Sequence, residues 1–282
     1  MVVLVTGANG QLGQSLQSVS GNYPGMDFLF YGSQQLDISD KAAVNEAFAR
    51  TRPDYCINAA AYTAVDKAET ESAKARQINV EGAENIAQAA KEHGTVVLHI
   101  STDFVFDGNQ TVPYTELDTP NPTGVYGQTK LDGEKAISNI LDKCFIVRTS
   151  WVYSQFGHNF MKTMLRLATE RDTLSVVDDQ IGTPTNAVDL AEALLDMIQF
   201  CAGNPNSVSY GIYNFSNEGQ CSWFDFAKKI FEINKIKIDL QPIQSIAYPT
   251  PASRPAFSVL DKSKIKAVFG IQINNWETSL KK

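Results

Sequence analysis

Tyr126 and Lys130, in Gly124-Val125-Tyr126-Gly127-Gln128-Thr129-Lys130, form the only Tyr-x-x-x-Lys pair of the chain. On a helix this spacing puts both side chains on one face, where an ammonium beside a phenol favours the ionised form. A phenol ordinarily titrates near about 10, too high for fast proton exchange at neutral pH, so lowering it suits acid-base work on an alcohol or ketone. Thr102 supplies a hydroxyl for the same chemistry. It follows the apolar run Val96-Val97-Leu98-His99-Ile100-Ser101 and so marks the carboxyl end of a strand, the edge of an open α/β sheet where ligands sit. Asp103 and Asp107 are candidates for the site and equally turn residues ahead of Gly108. Hydroxyl, phenol and ammonium together point to carbonyl reduction or alcohol oxidation.

Such a site needs a hydride carrier, and the first residues offer a place for one. The apolar run Val2-Val3-Leu4-Val5-Thr6 stops at Gly7-Ala8-Asn9-Gly10-Gln11-Leu12-Gly13, after which a helical pattern begins. In this strand, turn and helix, Gly7 permits the tight turn, Gly10 lets the backbone approach a pyrophosphate, and Gly13 lets the helix pack closely on the strand. Further strand-like runs lie at 28–31, 55–58, 96–101 and 144–148. Between them, 40–48, 73–91 and 130–140 carry apolar residues at three- and four-residue spacing, as helices covering a sheet do. The alternation predicts an α/β fold with a doubly wound parallel sheet. Past residue 150 the pattern loosens. Helices are expected over 161–170, 187–200 and 222–233, strands near 176 and over 212–215, and a loop over 242–255.

The composition narrows the classes of partner. A net charge of -7 and a pI near 5.0 leave no basic stripe to replace phosphate counterions, which argues against nucleic acid. No apolar run reaches the length of a membrane span. Cys56, Cys144, Cys201 and Cys221 are scattered without metal-ligand spacing, so they read as reduced thiols, and no metal is expected. With the glycine loop directly behind Met1 and no basic leader, a cytoplasmic protein is the expectation.

The residues resemble the extended short-chain dehydrogenase/reductases and, within them, the dTDP-4-dehydrorhamnose reductase family. The pieces that carry this are 5–13, Leu36-Asp37-Ile38, Asn58 to Asp66, Ser101 to Gly108, Tyr126 to Lys130, Arg148 to Tyr153, Asp179 to Thr185 and Arg254 to Asp261. The glycine loop and the Tyr/Lys pair mark only the superfamily; the last three segments look specific to the rhamnose-pathway reductases.

The resemblance implies a Rossmann-like fold with a smaller interleaved C-terminal substrate lobe, divided as 1–151 plus 186–217 and 152–185 plus 218–282. It implies hydride transfer to the C4 ketone of a dTDP-4-keto-6-deoxy sugar. Tyr126 would protonate the developing alkoxide, Lys130 would depress its pKa and hold the nicotinamide ribose, and Thr102 would bond the substrate oxygen. Gly7, Asn9, Gly10, Gln11, Leu12 and Gly13 would hold the pyrophosphate, Asp37 and Ile38 the adenine side, and Ala59, Ala60, Ala61 and Tyr62 the riboses along the fourth strand. Asn79 would brace them from a neighbouring helix. Asp103, Gln180 and Val65 would join the substrate site, Trp151 would pack on the sugar, and Arg254 would meet the diphosphate through a charge-assisted fork.

Plainer readings stand beside these: tight packing for Ala59 to Ala61, a core aromatic for Trp151, a surface cation for Arg254. An NAD-selective site usually carries an acid at the end of its second strand, but Phe30-Tyr31-Gly32-Ser33-Gln34-Gln35 has none, and no arginine replaces it. NADPH is therefore the expected cofactor, with NADH as the alternative, and a homodimer is a further expectation. An epimerase or dehydratase of the same fold, and a non-catalytic subunit related to the one that pairs with methionine adenosyltransferase, are the rival readings.

Overall fold

The structure, a computed structural model, describes residues 1–205 and 207–282. Short β-branched and apolar runs alternate with amphipathic helices: β1 (Val2–Thr6), α1 (Gln11–Val19), β2 (Asp27–Tyr31), α2 (Lys41–Thr51) and β3 (Tyr55–Asn58). After β3 come α3 (Val65–Ala68), α4 (Ser72–Arg76), a π-helical stretch Gln77–Glu81, α5 (Gly82–His93), β4 (Val96–Thr102), α6 (Val125–Ile140) and β5 (Cys144–Thr149). Because a helix returns the chain after nearly every strand, each new strand starts at the same edge. The result is an all-parallel six-stranded sheet in the order β10-β5-β4-β3-β1-β2, with β10 at Gly211–Asn214.

Apolar residues on both faces require cover on both. Leu12, Leu16 and Val19 of α1 pack with Leu190, Leu194 and Ile198 of α8 (Ala187–Gly203) on one side. Val44, Phe48, Ala83, Ile86 and Ile137, from α2, α5 and α6, cover the other. Each side chain of this size contributes about 1.5–3 kcal/mol on full burial.

The smaller lobe is built from β6 (Val152–Tyr153), α7 (Phe160–Glu170), β7 (Thr173–Val177), β8 (Ile181–Gly182), β9 (Thr185–Asn186), β11 (Cys221–Ser222), α9 (Trp223–Ile233) and β12 (Asp239–Ile243). Its own core gathers Met164, Leu174, Val176, Phe226, Ile230 and Trp276. The helix α10 (Ser263–Phe269) packs through Ile265 into the core of the large sheet, although it follows the smaller lobe in sequence.

Several expectations shift. The helix that carries Tyr126 and Lys130 begins at Val125, upstream of the apolar periodicity over 130–140, and Glu69 Oε1 accepts the Val125 amide at 2.9 Å from another segment. Pro242 lies in β12, not a loop: the whole of Asp239–Ile243 pairs in parallel with β7. The segment Ala59 to Tyr62 follows the third strand of the chain, which is fourth in space only when counted from β10. The expected helix 73–91 is present but carries the π stretch, which turns Asn79 inward. Asn79 Oδ1 accepts the Tyr62 amide at 2.8 Å, and its Nδ2 donates to the Tyr62 carbonyl and to Thr129 Oγ1, both at 3.1 Å.

Candidate active site

The carboxyl ends of β1, β3 and β4 converge. At β1, Gly7 has φ +66, and a Cβ there would meet the Ala59 carbonyl at 2.6 Å; at Gly13 it would meet the Gly7 carbonyl at 2.4 Å. Only bare backbone fits between loop, helix and Ala59. Gly10 is the N-cap of α1 and offers no side chain to the first-turn amides, so their donors and the positive end of the helix remain available to an anion. These residues fit the pyrophosphate of a dinucleotide. Leu12 is buried in the core and holds the helix, while Asn9 is exposed beside the loop. Gln11 also faces the smaller lobe: its Oε1 accepts from Asn159 Nδ2 at 2.8 Å and from Ser154 Oγ at 3.2 Å. Asp37 is exposed and bonds Ser39, but the Ile38 side chain is in the core, so only its backbone faces outward. Tyr62 is tied down through its hydroxyl to Glu71 at 3.1 Å.

Thr102 ends β4 and Tyr126 sits in the first turn of α6, its ring edge-on to Phe104 at 5.5 Å. Thr102 Oγ1 donates to Asp103 Oδ1 at 3.0 Å and accepts the Phe104 amide at 3.2 Å. Desolvation pushes the Tyr126 phenol up to about 12, the Thr102 hydroxyl beside it pulls it down, and the Asp103 charge raises it. Asp103 is buried with Oδ2 unpartnered, and burial lifts its carboxyl to about 6 against the pull of Ser258 and Thr102. Asp103 is therefore a buried neighbour of Thr102 and Tyr126 and not an exposed turn residue; Asp107 is the turn residue, accepting the Asn109 amide at 3.0 Å.

The ammonium of Lys130 is not against the phenol. Its Nζ donates to the Ile100 carbonyl at 2.6 Å and lies 3.4 Å from His99 Nε2. Burial brings Lys130 down to about 8, with Glu134 opposing. Glu134, one turn further along α6, accepts Ser101 Oγ at 2.5 Å and both Arg148 Nε at 2.9 Å and Nη2 at 2.7 Å in a buried fork.

Trp151, just past β5, has φ +46, a conformation costing a tryptophan on the order of 1–3 kcal/mol. Stacking holds it there: its indole lies 3.5 Å from that of Trp223 at 10°, and Gly182 leaves space that a Cβ would close to 2.5 Å. Trp151 is thus both a core aromatic and half-exposed at the lobe junction. Gln180, Trp223 and Arg254 line a groove of about 960 Å³ in the smaller lobe, with Arg171, Ser245 and Tyr248.

Arg254 is no free surface cation. It forks onto Asp66, Nη1 to Oδ1 at 3.0 Å and Nη2 to Oδ2 at 2.8 Å, next to Val65 at the start of α3, and it holds the Asp66 carboxyl below the usual range. Asp66, Trp223 and His99 were not among the expected site residues. The signal for His99 was a lone polar ring within an apolar strand; Asp66 and Trp223 are visible only once the lobes meet. Among the described residues no cluster of His, Cys, Asp and Glu could hold a metal, and no helix is long and apolar enough to cross a membrane.

Residues 1–282 match the family described as the RmlD substrate binding domain. A dTDP-4-dehydrorhamnose reductase of Aggregatibacter actinomycetemcomitans is 43% identical, over 99% of this chain and 97% of its own. A crystal structure of dTDP-4-dehydrorhamnose reductase from Bacillus anthracis in complex with NADP superposes with a TM-score of 0.92 at 39% identity, covering 99% of this chain and 96% of that one. A UDP-glucose 4-epimerase of Brucella ovis in complex with NAD reaches a TM-score of 0.83 at 19% identity, over 99% and 96% of the chains, a likeness of fold alone.

Proposed function

The chain belongs to the RmlD substrate binding domain family, and from that premise we propose that it is an enzyme reducing the C4 ketone of dTDP-4-dehydro-6-deoxy-L-mannose (dTDP-4-dehydrorhamnose) to dTDP-L-rhamnose, the last step of dTDP-rhamnose biosynthesis. What supports this reading is Thr102 at the carboxyl end of β4 with Tyr126 beside it, Lys130 one turn further along α6, the glycine loop at the end of β1, and a groove of about 960 Å³ in the smaller lobe. When bound, the nicotinamide cofactor supplies the hydride. NADPH is its preferred form, with NADH as the alternative, as the NADP in the Bacillus anthracis relative supports. The α1 amides and Gly7, Gly10 and Gly13 would hold the pyrophosphate, and Ala59 to Ala61 would let the backbone lie against the riboses.

Tyr126 Oη gives its proton to the alkoxide forming at C4. Thr102 Oγ1 and Asp103 bond the sugar oxygens. Lys130 places a positive charge one turn behind the phenol, where it stabilises the phenolate left after proton transfer. Trp151 and Val65 border the sugar, Gln180 lies in the groove, and Arg254 exchanges Asp66 for the diphosphate. We assign 152–185 and 218–282 to the substrate lobe and 1–151 and 186–217 to the dinucleotide-binding domain, with α10 of the former leaning on the core of the large sheet. The protein works in the cytoplasm as a homodimer, needs no metal, and takes no nucleic acid.

Loss of NADPH absorbance on mixing with dTDP-4-dehydrorhamnose tests the reading; no turnover with either cofactor refutes it. An epimerase, which recycles NAD, would change the sugar without net loss of absorbance. Tyr126→Phe should lower kcat by about 100-fold or more while cofactor binding persists. Light scattering and cell fractionation check the homodimer and the compartment.

A further inference from the structure

Thr6, Asn58 and His99 are direct neighbours across β1, β3 and β4, so one polar row crosses the sheet there. Thr6 Oγ1 donates to Asn58 Oδ1 at 2.7 Å, Asn58 Nδ2 lies 3.1 Å from His99 Nδ1, and His99 Nε2 lies 3.4 Å from Lys130 Nζ. All four residues are at most 2% exposed, so water cannot complete their bonds. The row starts at the residue before Gly7 and ends on the lysine of the reducing site. Resting on the reductase reading above, we propose that His99 is a positioning residue that seats Lys130 at the Ile100 carbonyl and, through Asn58 and Thr6, sets whether Lys130 carries its proton.

The row has two hydrogen-bond orders at His99. With the Thr6 hydroxyl given to Asn58 Oδ1, the Asn58 amide donates to Nδ1, the ring proton sits on Nε2, and Nε2–H meets Lys130 as a neutral amine. With the Asn58 amide turned over, Oδ1 accepts from Nδ1–H, Nε2 is free to accept, and Lys130 is held as an ammonium. In both orders His99 and Lys130 keep a matched donor and acceptor, so the lysine can change charge without orphaning either ring nitrogen, which would otherwise cost about 1–3 kcal/mol. The ring itself stays neutral, because burial and the adjacent lysine both oppose a second proton.

The charged and titratable groups around Lys130 are His99 from β4, Tyr126 and Glu134 from its own helix, Arg148 from β5, which neutralises Glu134, and Asp103, which faces Tyr126. Among these, His99 is the one whose proton position depends on Lys130.

Two readouts test this on the full-length protein: the pH profile of kcat, and a titration of the Lys130 Cε resonance in lysine-labelled protein, assigned by its loss in Lys130→Met. His99→Leu removes the acceptor for the ammonium, so both midpoints should fall by about one pH unit, a tenfold change in acidity. His99→Gln retains an amide oxygen and should restore the wild-type midpoint. Asn58→Asp only accepts; it forces the ring proton onto Nδ1 and should raise the midpoint, and the rise should vanish when His99→Leu is added. Midpoints unmoved in His99→Leu and Asn58→Asp overturn the proposal, as does a rise in Asn58→Asp that persists without His99. Should the leucine variant not fold, His99→Phe, a planar ring with no acceptor, takes its place alone and with Asn58→Asp, under the same two outcomes. Because the resonance reads Lys130 without turnover, a protein that reduces no substrate refutes the function and leaves this inference to be judged separately.

Discussion

Glu134→Leu breaks the most deeply buried ion pair of the molecule's catalytic helix. Glu134 and Arg148 are 3% and 1% exposed, and the fork between them is joined by Ser101. Arg148 Nη1 already has no partner, and the guanidinium lies 5.1 Å from the Phe106 ring centroid, an environment that cannot rehydrate it. Removing the carboxylate leaves that cation bare at a cost of about 3–5 kcal/mol. With an unfolding entropy of about 2.1 cal/mol/K per residue over 282 residues, this corresponds to a fall in Tm of about 5–8 °C. The double variant Glu134→Leu with Arg148→Met removes both charges and should recover most of the loss, since an apolar pair of similar volume packs as well as a buried ion pair. Differential scanning fluorimetry of the two single variants and the double gives the cycle. A single-variant drop below about 1 °C, or a double variant no more stable than Glu134→Leu, would refute the reasoning. Loss of Glu134 also removes the charge that supports the Lys130 ammonium, so the alkaline limb of kcat should move to lower pH in that variant.

Three further outcomes follow from the site. Asp103 has a folded-state pKa raised to about 6 from 3.8, so the native state binds more protons than the unfolded one between these values and stability falls as pH rises through that window; Asp103→Asn should abolish that slope, measured as urea midpoints from pH 4 to 7. Gly182→Ala drives a Cβ to 2.5 Å from the Trp151 indole, which should unseat the Trp151/Trp223 stack, cost about 1–3 kcal/mol and raise KM for the sugar nucleotide; an unchanged KM would remove Trp151 from the substrate site. Arg254→Met should raise KM by about tenfold or more, as loss of a charge-assisted bond worth about 1.5–3 kcal/mol predicts, whereas Asp66→Asn, at a partly exposed pair, should change stability by no more than about 1 kcal/mol. Steady-state kinetics and thermal melts separate the two.

Local regularities made much of this protein legible in the sequence. The period of the apolar residues fixes strand or helix within a few residues, and alternation of the two dictates a parallel sheet, because a strand followed by a helix can only re-enter from the same edge. The glycine loop is equally local: Gly7 and Gly13 answer to close backbone contacts that no side chain tolerates, and Gly10 leaves the first turn of α1 uncovered. Tyr126, Lys130 and Thr102 stand out as candidates because their chemistry is rare at that spacing and at that end of a strand.

What the tertiary structure decided is where charge goes. Lys130 lies against Ile100 and His99 because β4 passes beneath α6 in one particular register, and a one-residue slip would have turned His99 to the opposite face. Arg254 and Asp66 are 188 residues apart in sequence, and Trp151 and Trp223 belong to segments that touch only after the two lobes close. Sequence periodicity records which face of an element is apolar. It does not record which buried polar groups will meet, since that depends on strand order and on desolvation by chain that arrives from elsewhere.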